Sequence, residues 1–172
     1  MSFTSIVKNE ISKLDTIETE NISELSAIIR TIGNINNNIN ITTENASVAR
    51  RIFNLVKEIY NINPKVIVRR GYNFNKNYIY ILEINNKINY IINDLSINTN
   101  IPKEYIYADT DLKRAYLRGV FLGSASINDP KKSRYHLEFV VDNEEYASFV
   151  SSLLNEYNLN SKILKRENKY MI

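Results

Sequence analysis

The sequence contains no cysteine and one histidine, His136. The first absence excludes disulfides, thiolate zinc sites and cysteine nucleophiles, and the second excludes His-rich metal sites. No apolar run approaches the roughly 18 residues of a membrane span. The N-terminus MSFTSIVKNEISKL, broken by Lys8, Glu10 and Lys13, lacks the apolar stretch of an export signal, which predicts a cytoplasmic chain. What is present is globular in character: 172 residues, 44% hydrophobic and 24% charged, with a net charge of +3. A chain of this length suits one medium domain or two small pseudo-repeats and buries roughly 70% of its unfolded surface. Its charge is unevenly spread: residues 45–76 hold Arg50, Arg51, Lys57, Lys65, Arg69, Arg70 and Lys76 against Glu58 alone. The 26 Asn and 26 Ile reflect a codon bias of AT-rich genomes and carry little functional weight.

Apolar spacing orders the elements. Residues 2–14 read as a helix through Phe3, Ile6, Val7, Ile11 and Leu14, followed by an acidic linker from Asp15 to Asn21. Leu25, Ile28, Ile29 and Ile32 predict a second helix over Glu24–Ile32, stopping at Gly33. Residues 34–43 alternate as a hairpin, and Thr43-Glu44-Asn45 caps a helix over 45–60 with Arg50 and Arg51 on a solvated or partner-facing side. Strands follow at 65–70 and 78–84, joined through Gly71-Tyr72-Asn73, and helical spacing returns over 85–95. Tyr78, Tyr80, Tyr105 and Tyr107 alternate as strand residues do, and Asp109-Thr110-Asp111 caps a helix from Leu112.

The second part repeats the first. Leu25, Ala27, Ile28, Ile29, Gly33 and Ile35 recur 92 positions later as Leu117, Gly119, Val120, Phe121, Ala125 and Ile127. At an offset of 98, Ile39, Ile41, Glu44, Asn45, Ala49 and Ile52 become Leu137, Phe139, Asp142, Asn143, Ala147 and Val150. Lys65 and Arg69 correspond to Lys162 and Arg166. The repeats divide the chain into an N-terminal helix and linker (1–20), a first repeat (21–108) and a second repeat (109–172) that reads as incomplete, as in a fragment or truncated product.

Helix, hairpin, helix, hairpin, helix, duplicated, with Leu117-Arg118-Gly119-Val120-Phe121-Leu122-Gly123-Ser124-Ala125-Ser126 on the motif helix, resembles the LAGLIDADG homing endonucleases. The opening MSF, the stretch Thr43 to Ile52, Arg114 to Leu122, Ser124 to Pro130 and Tyr135-His136-Leu137-Glu138 resemble more specifically the N-terminal part of the WhiA family of sporulation and cell-division regulators. The resemblance implies an α+β fold with pseudo-twofold tandem αββαββα repeats. It also implies DNA and the transcription machinery as partners, DNA chiefly through a C-terminal helix-turn-helix module absent from this sequence. Nuclease chemistry in that fold needs an acid at the eighth motif position of each helix to hold divalent metals. Those positions are Ile32 and Ser124, and the sixth positions are Arg30 and Leu122, so the resemblance implies a non-enzymatic scaffold with no cofactor.

Small residues Ala27, Gly33, Gly119, Gly123 and Ala125 suit close crossing of the two motif helices. Strand alternation puts Lys65, Ile67 and Arg69 on one face and Lys162, Leu164 and Arg166 on the corresponding face of the second repeat. These cations, with Arg70 and the loop residues Lys131, Lys132 and Arg134, are the candidate DNA contacts. The alternative is that they keep edge strands and a hairpin tip soluble. His136 is read as a strand residue with a satisfied ring.

Overall fold

The computed structural model describes residues 1–71 and 77–172. Its first half runs α1 (Phe3–Ile11), α2 (Glu18–Ile32), β1 (Gly33–Ile35), β2 (Ile39–Thr43), α3 (Ala46–Tyr60), β3 (Lys65–Arg70), β4 (Tyr78–Ile84) and α4 (Ile88–Asp94). After a 3-10 turn at Glu104–Ile106 come α5 (Thr110–Ser124), β5 (Ala125–Ile127), β6 (Leu137–Val141), α6 (Glu144–Asn155), β7 (Leu164–Arg166) and β8 (Lys169–Met171). The strands form two antiparallel sheets of matching order, β1-β2-β4-β3 and β5-β6-β8-β7. The α+β class and the tandem LAGLIDADG-like arrangement expected from the sequence are therefore present.

Local chemistry sets the helix starts. Asn45, Asp109 and Asn143 each accept the amide three residues on, at 3.0, 2.9 and 2.9 Å, closing one otherwise unpaired helical N–H apiece. Two cores result. The first is aliphatic, built on Leu25, Ile28, Ile41, Ile52, Leu82 and Ile91. The second is aromatic, built on Tyr116, Phe121, Phe139, Tyr146 and Phe149.

The motif helices α2 and α5 run side by side and in the same direction, Glu24 and Ala27 against Gly119, Thr31 against Gly123. A Cβ at Gly119 would collide with the Glu24 carbonyl, and one at Gly123 with the Thr31 hydroxyl. Helices this close exclude larger side chains. Gly33 lies just beyond α2, and a Cβ there would meet Ile29 of its own helix, so it is not part of the crossing contact assigned to it from sequence.

Four further readings need correction. Helix α2 starts at Glu18, so most of the expected acidic linker is helical; Ile17 is its cap, and Glu18 and Glu20 sit in the first turn, where carboxylates complement the helix dipole. Tyr105 and Tyr107 belong to the 3-10 turn and its C-cap, not to a strand; Ile106, fully buried, anchors the turn between them. His136 precedes β6 rather than lying in it, although its ring is partnered by Glu138 at 3.0 Å.

The fourth correction concerns Arg51, expected on a solvated side. It is 9% exposed and pairs through Nε with Glu24 Oε2 at 2.7 Å and through a terminal nitrogen with Oε1 at 3.0 Å. Arg118 of α5 joins the same carboxylate, which is fully buried. One anion thus ties α2 to α3 and to the other repeat. The joint at Gly71-Tyr72-Asn73 lies, from Tyr72 on, outside the described residues.

Candidate nucleic-acid interface

Each sheet buries one face under helices and leaves the other open. In the first sheet Ile39, Ile41, Leu82 and Ile84 point into the core. The register therefore sends Asn40, Thr42, Lys65, Ile67, Arg69, Ile79, Ile81 and Glu83 to the open face. In the second sheet Phe139 and Val141 are buried, leaving Ser126, Glu138, Val140, Leu164, Arg166, Lys169 and Met171 open.

The pairing fixes which residues correspond. Phe139 and Ile172 exchange backbone hydrogen bonds at 3.0 and 2.9 Å, in the place that Ile41 and Leu82 hold in the first sheet. Counting outward along the ladders, Ile67 matches Leu164 and Arg69 matches Arg166. Ile79 matches Lys169, so the second open face carries a cation where the first is aliphatic. Lys169 pairs with Asp142.

The candidate cations are not all brought together. Lys65 and Arg69 share the open face, whereas Arg70, one residue on, projects to the opposite face with Val66 and Val68. Lys162 lies before β7, outside the strand expected to hold it, because the ladder with β8 begins only at Leu164. Lys131, Lys132 and Arg134 are exposed in the loop from Asn128 to His136, whose turn is set by the Asp129 carboxylate accepting the Lys131 amide at 2.9 Å. All eight candidates are exposed, and among the described residues none makes an ion pair.

Two related grooves flank the C-terminal ends of the motif helices. One, of about 490 Å³, lies between Thr4 and Lys8 of α1, Thr42, Asn45, Ile79 and Gly123. Its counterpart, of about 290 Å³, is lined by Arg30, Asn34, Thr99, Asp142 and Asn143. Helix α1 reaches the first groove because the Thr4 hydroxyl donates to the Ile127 carbonyl at 3.0 Å and accepts the Ile127 amide at 2.9 Å, closing the free edge of β5. Burial there lowers the Lys8 ammonium below its ordinary value. Sequence reasoning missed Lys8, whose place depends on where α1 docks. In the second groove Arg30 is held by the carbonyls of Ser96 and Thr99 and lies 5.4 Å from the centre of the Tyr146 ring.

At the eighth motif positions, Ile32 is half-buried and the Ser124 hydroxyl turns back to the Val120 carbonyl at 3.3 Å. Neither supplies an anionic ligand. Among the described residues no three His, Asp or Glu side chains gather as metal ligands. No described helix is long and apolar enough to cross a membrane.

Known proteins match this chain throughout. Residues 18–98 fit the WhiA N-terminal LAGLIDADG-like domain, and residues 113–172 fit the WhiA LAGLIDADG-like domain. A probable cell division protein WhiA from Clostridium botulinum is 44% identical across the whole of this chain, which spans 60% of that relative's length. One from Thermoanaerobacter sp. is 41% identical, with 59% of its length covered.

Among solved structures, the N-terminal LAGLIDADG domain of DUF199/WhiA superposes with a TM-score of 0.79 at 26% identity, covering 99% of this chain and 82% of that one. I-DmoI, solved in complex with DNA and Mn, matches with a TM-score of 0.59 at 16% identity, covering 90% of this chain and 89% of that one, a likeness of fold alone. Motif spacing, doubled sheet order and these matches agree: the chain belongs to the WhiA family.

Proposed function

We propose that this chain is the non-catalytic, DNA-associated scaffold of a cell-division and sporulation regulator that also acts in chromosome segregation. It works in the cytoplasm at the nucleoid, with the transcription machinery as a further partner. In this reading 1–20 is an accessory helix and linker, and 21–108 and 109–172 are the two repeats. A helix-turn-helix module, as in the family it resembles, supplies most sequence recognition. The observation that carries the proposal is the repeat-related placement of Arg69 and Arg166 on the two open faces, exposed and without ion-pair partners among the described residues. Arginine without a carboxylate suits a phosphate, and phosphate contacts position a protein without reading sequence.

The expected signature is electrostatic. Neutralising about four phosphates gives a slope of about −3.6 in the logarithm of affinity against the logarithm of salt concentration. Titration of a random-sequence duplex across salt measures it; an affinity unmoved by salt removes phosphate contact from the account. With Ile32 and Ser124 at the acid positions, plasmid DNA stays intact in magnesium or manganese. A nick that disappears on chelation would restore the nuclease reading.

A second reading, a protein-interaction scaffold without DNA contact, draws on the aliphatic residues of the same faces. Ile67, Ile79 and Ile81 in one sheet and Leu164, Val140 and Met171 in the other occupy positions where base or phosphate contact calls for polar groups. Salt-independent affinity for DNA together with retained binding of a protein partner would favour it.

A further inference from the structure

Strand β3 ends the first sheet, and its outer edge offers something the open faces do not. We infer that this edge, with the groove between β3 and α3, is a docking site for an extended acidic segment of a partner protein, added to the sheet as a fifth strand. The inference goes beyond the DNA-associated role: the groove lies on the opposite face of the sheet, and only the flanking cations Lys65 and Arg69 are shared with the open face.

Three features meet there. Helix α3 packs over β2 and β4 and stops short of β3, leaving Val66 and Val68 48% and 52% exposed on the helix side. These valines line a groove of about 340 Å³ with Ala49, Phe53 and Tyr80. An exposed apolar strip beside a half-filled groove is a recognition feature when polar groups surround it.

The backbone is also available. The Gly71 amide donates to the Asn77 carbonyl at 2.9 Å, so by strand alternation Lys65, Ile67 and Arg69 exchange hydrogen bonds with β4. Val66, Val68 and Arg70 therefore turn their N–H and C=O groups to the outer edge, where no described strand pairs with them. Two of these three residues, Val66 and Val68, also line the groove with their side chains.

Charge chooses the occupant. Lys65 and Arg69 flank the edge on the open face and Arg50 and Arg70 on the groove side, all exposed and none in an ion pair among the described residues. A second copy pairing through its own Lys65-Val66-Ile67-Val68-Arg69-Arg70 would bring three cations against three. Nucleic acid would answer the charge but leave the valines and the outward amides unmatched. An acidic strand answers all of these: alternate aliphatic side chains enter the groove while carboxylates stand opposite Lys65 and Arg69 as cross-strand pairs. The corresponding edge in the second repeat, β7, spans Leu164–Arg166 only and presents a single outward residue, Lys165.

The probe is a capped synthetic peptide in which valine and glutamate alternate, titrated into the whole chain with amide hydrogen exchange as the readout. On saturation the amides of Val66, Val68 and Arg70 exchange about tenfold more slowly or less, while a control peptide with lysine for glutamate binds about tenfold more weakly. Val68→Pro removes one outward N–H and leaves the ladder to β4 intact, so it abolishes binding at an unchanged melting temperature. Should the proline lower that temperature, Val68→Lys at the same exposed position repeats the test. Unprotected amides at these three residues, equal binding of the lysine peptide, or wild-type affinity in both variants would overturn the inference.

Discussion

The two repeats solve one packing problem with different chemistry. Glu24 and Arg51 in the first repeat occupy the positions that Tyr116 and Phe149 hold in the second, at the same offsets of 92 and 98 that align the remaining residues. The first pair is a buried ion pair shared with Arg118. The second is an edge-to-face aromatic contact with ring centres 5.6 Å apart, and Tyr116 also bonds the Tyr146 hydroxyl at 2.7 Å. The backbone frame and the Asn caps survive between the repeats, while the interior differs, ionic at this place in one repeat and aromatic in the other.

That contrast is broken most forcefully at Glu24. Glu24→Ala strands Arg51 and Arg118 without their anion and costs about 3–5 kcal/mol, read from urea unfolding. Replacing two of the three members, Glu24→Leu with Arg51→Met, costs less than the single change although Arg118 still loses its anion, because only one cation is stranded and an apolar pair already fills the equivalent place in the second repeat. A double variant worse than Glu24→Ala would show that the ionic network has no apolar substitute. Gly119→Val drives a branched side chain into the α2 backbone and lowers stability by about 1–3 kcal/mol, whereas the facing Ala27→Gly change loses less, since it opens space rather than closing it.

In the second repeat the expected effects are smaller. Tyr116→Phe removes one hydroxyl pair and costs about 1 kcal/mol in the same unfolding assay. Burial raises the pKa of Tyr116 and of Tyr146 above the ordinary phenol value, so folding favours their neutral forms. The stability they supply is complete below about pH 10, the value in the unfolded chain, and declines as pH rises beyond it. Tyrosinate absorbance from these two rings should therefore appear only with unfolding. Early ionisation in the folded protein would contradict their burial.

Much of this architecture was legible because it is local. The caps at Asn45, Asp109 and Asn143 and the bounds of β3 and β4 follow from side-chain chemistry and apolar period, and the doubled order follows from the repeat. The Arg51 reading failed although a signal was present. Arg51 stands three residues after Val48 and four before Leu55, on the apolar stripe, and Glu24 stands four before Ile28 on the stripe of α2. Opposite charges on two buried stripes require each other. The separation of Arg70 from Arg69 followed from strand period alone, whereas the position of Lys8 depends on a contact between Thr4 and Ile127 that no local pattern encodes.

The most direct test of the central claim, that two equivalent open faces hold the DNA backbone without chemistry, is the salt dependence of duplex binding in Arg69→Glu and Arg166→Glu. Each variant should reduce the log–log slope by about 0.9, the contribution of one phosphate contact, and the double variant by about twice that. Slopes identical to wild type in both, at unchanged folding stability, would contradict it.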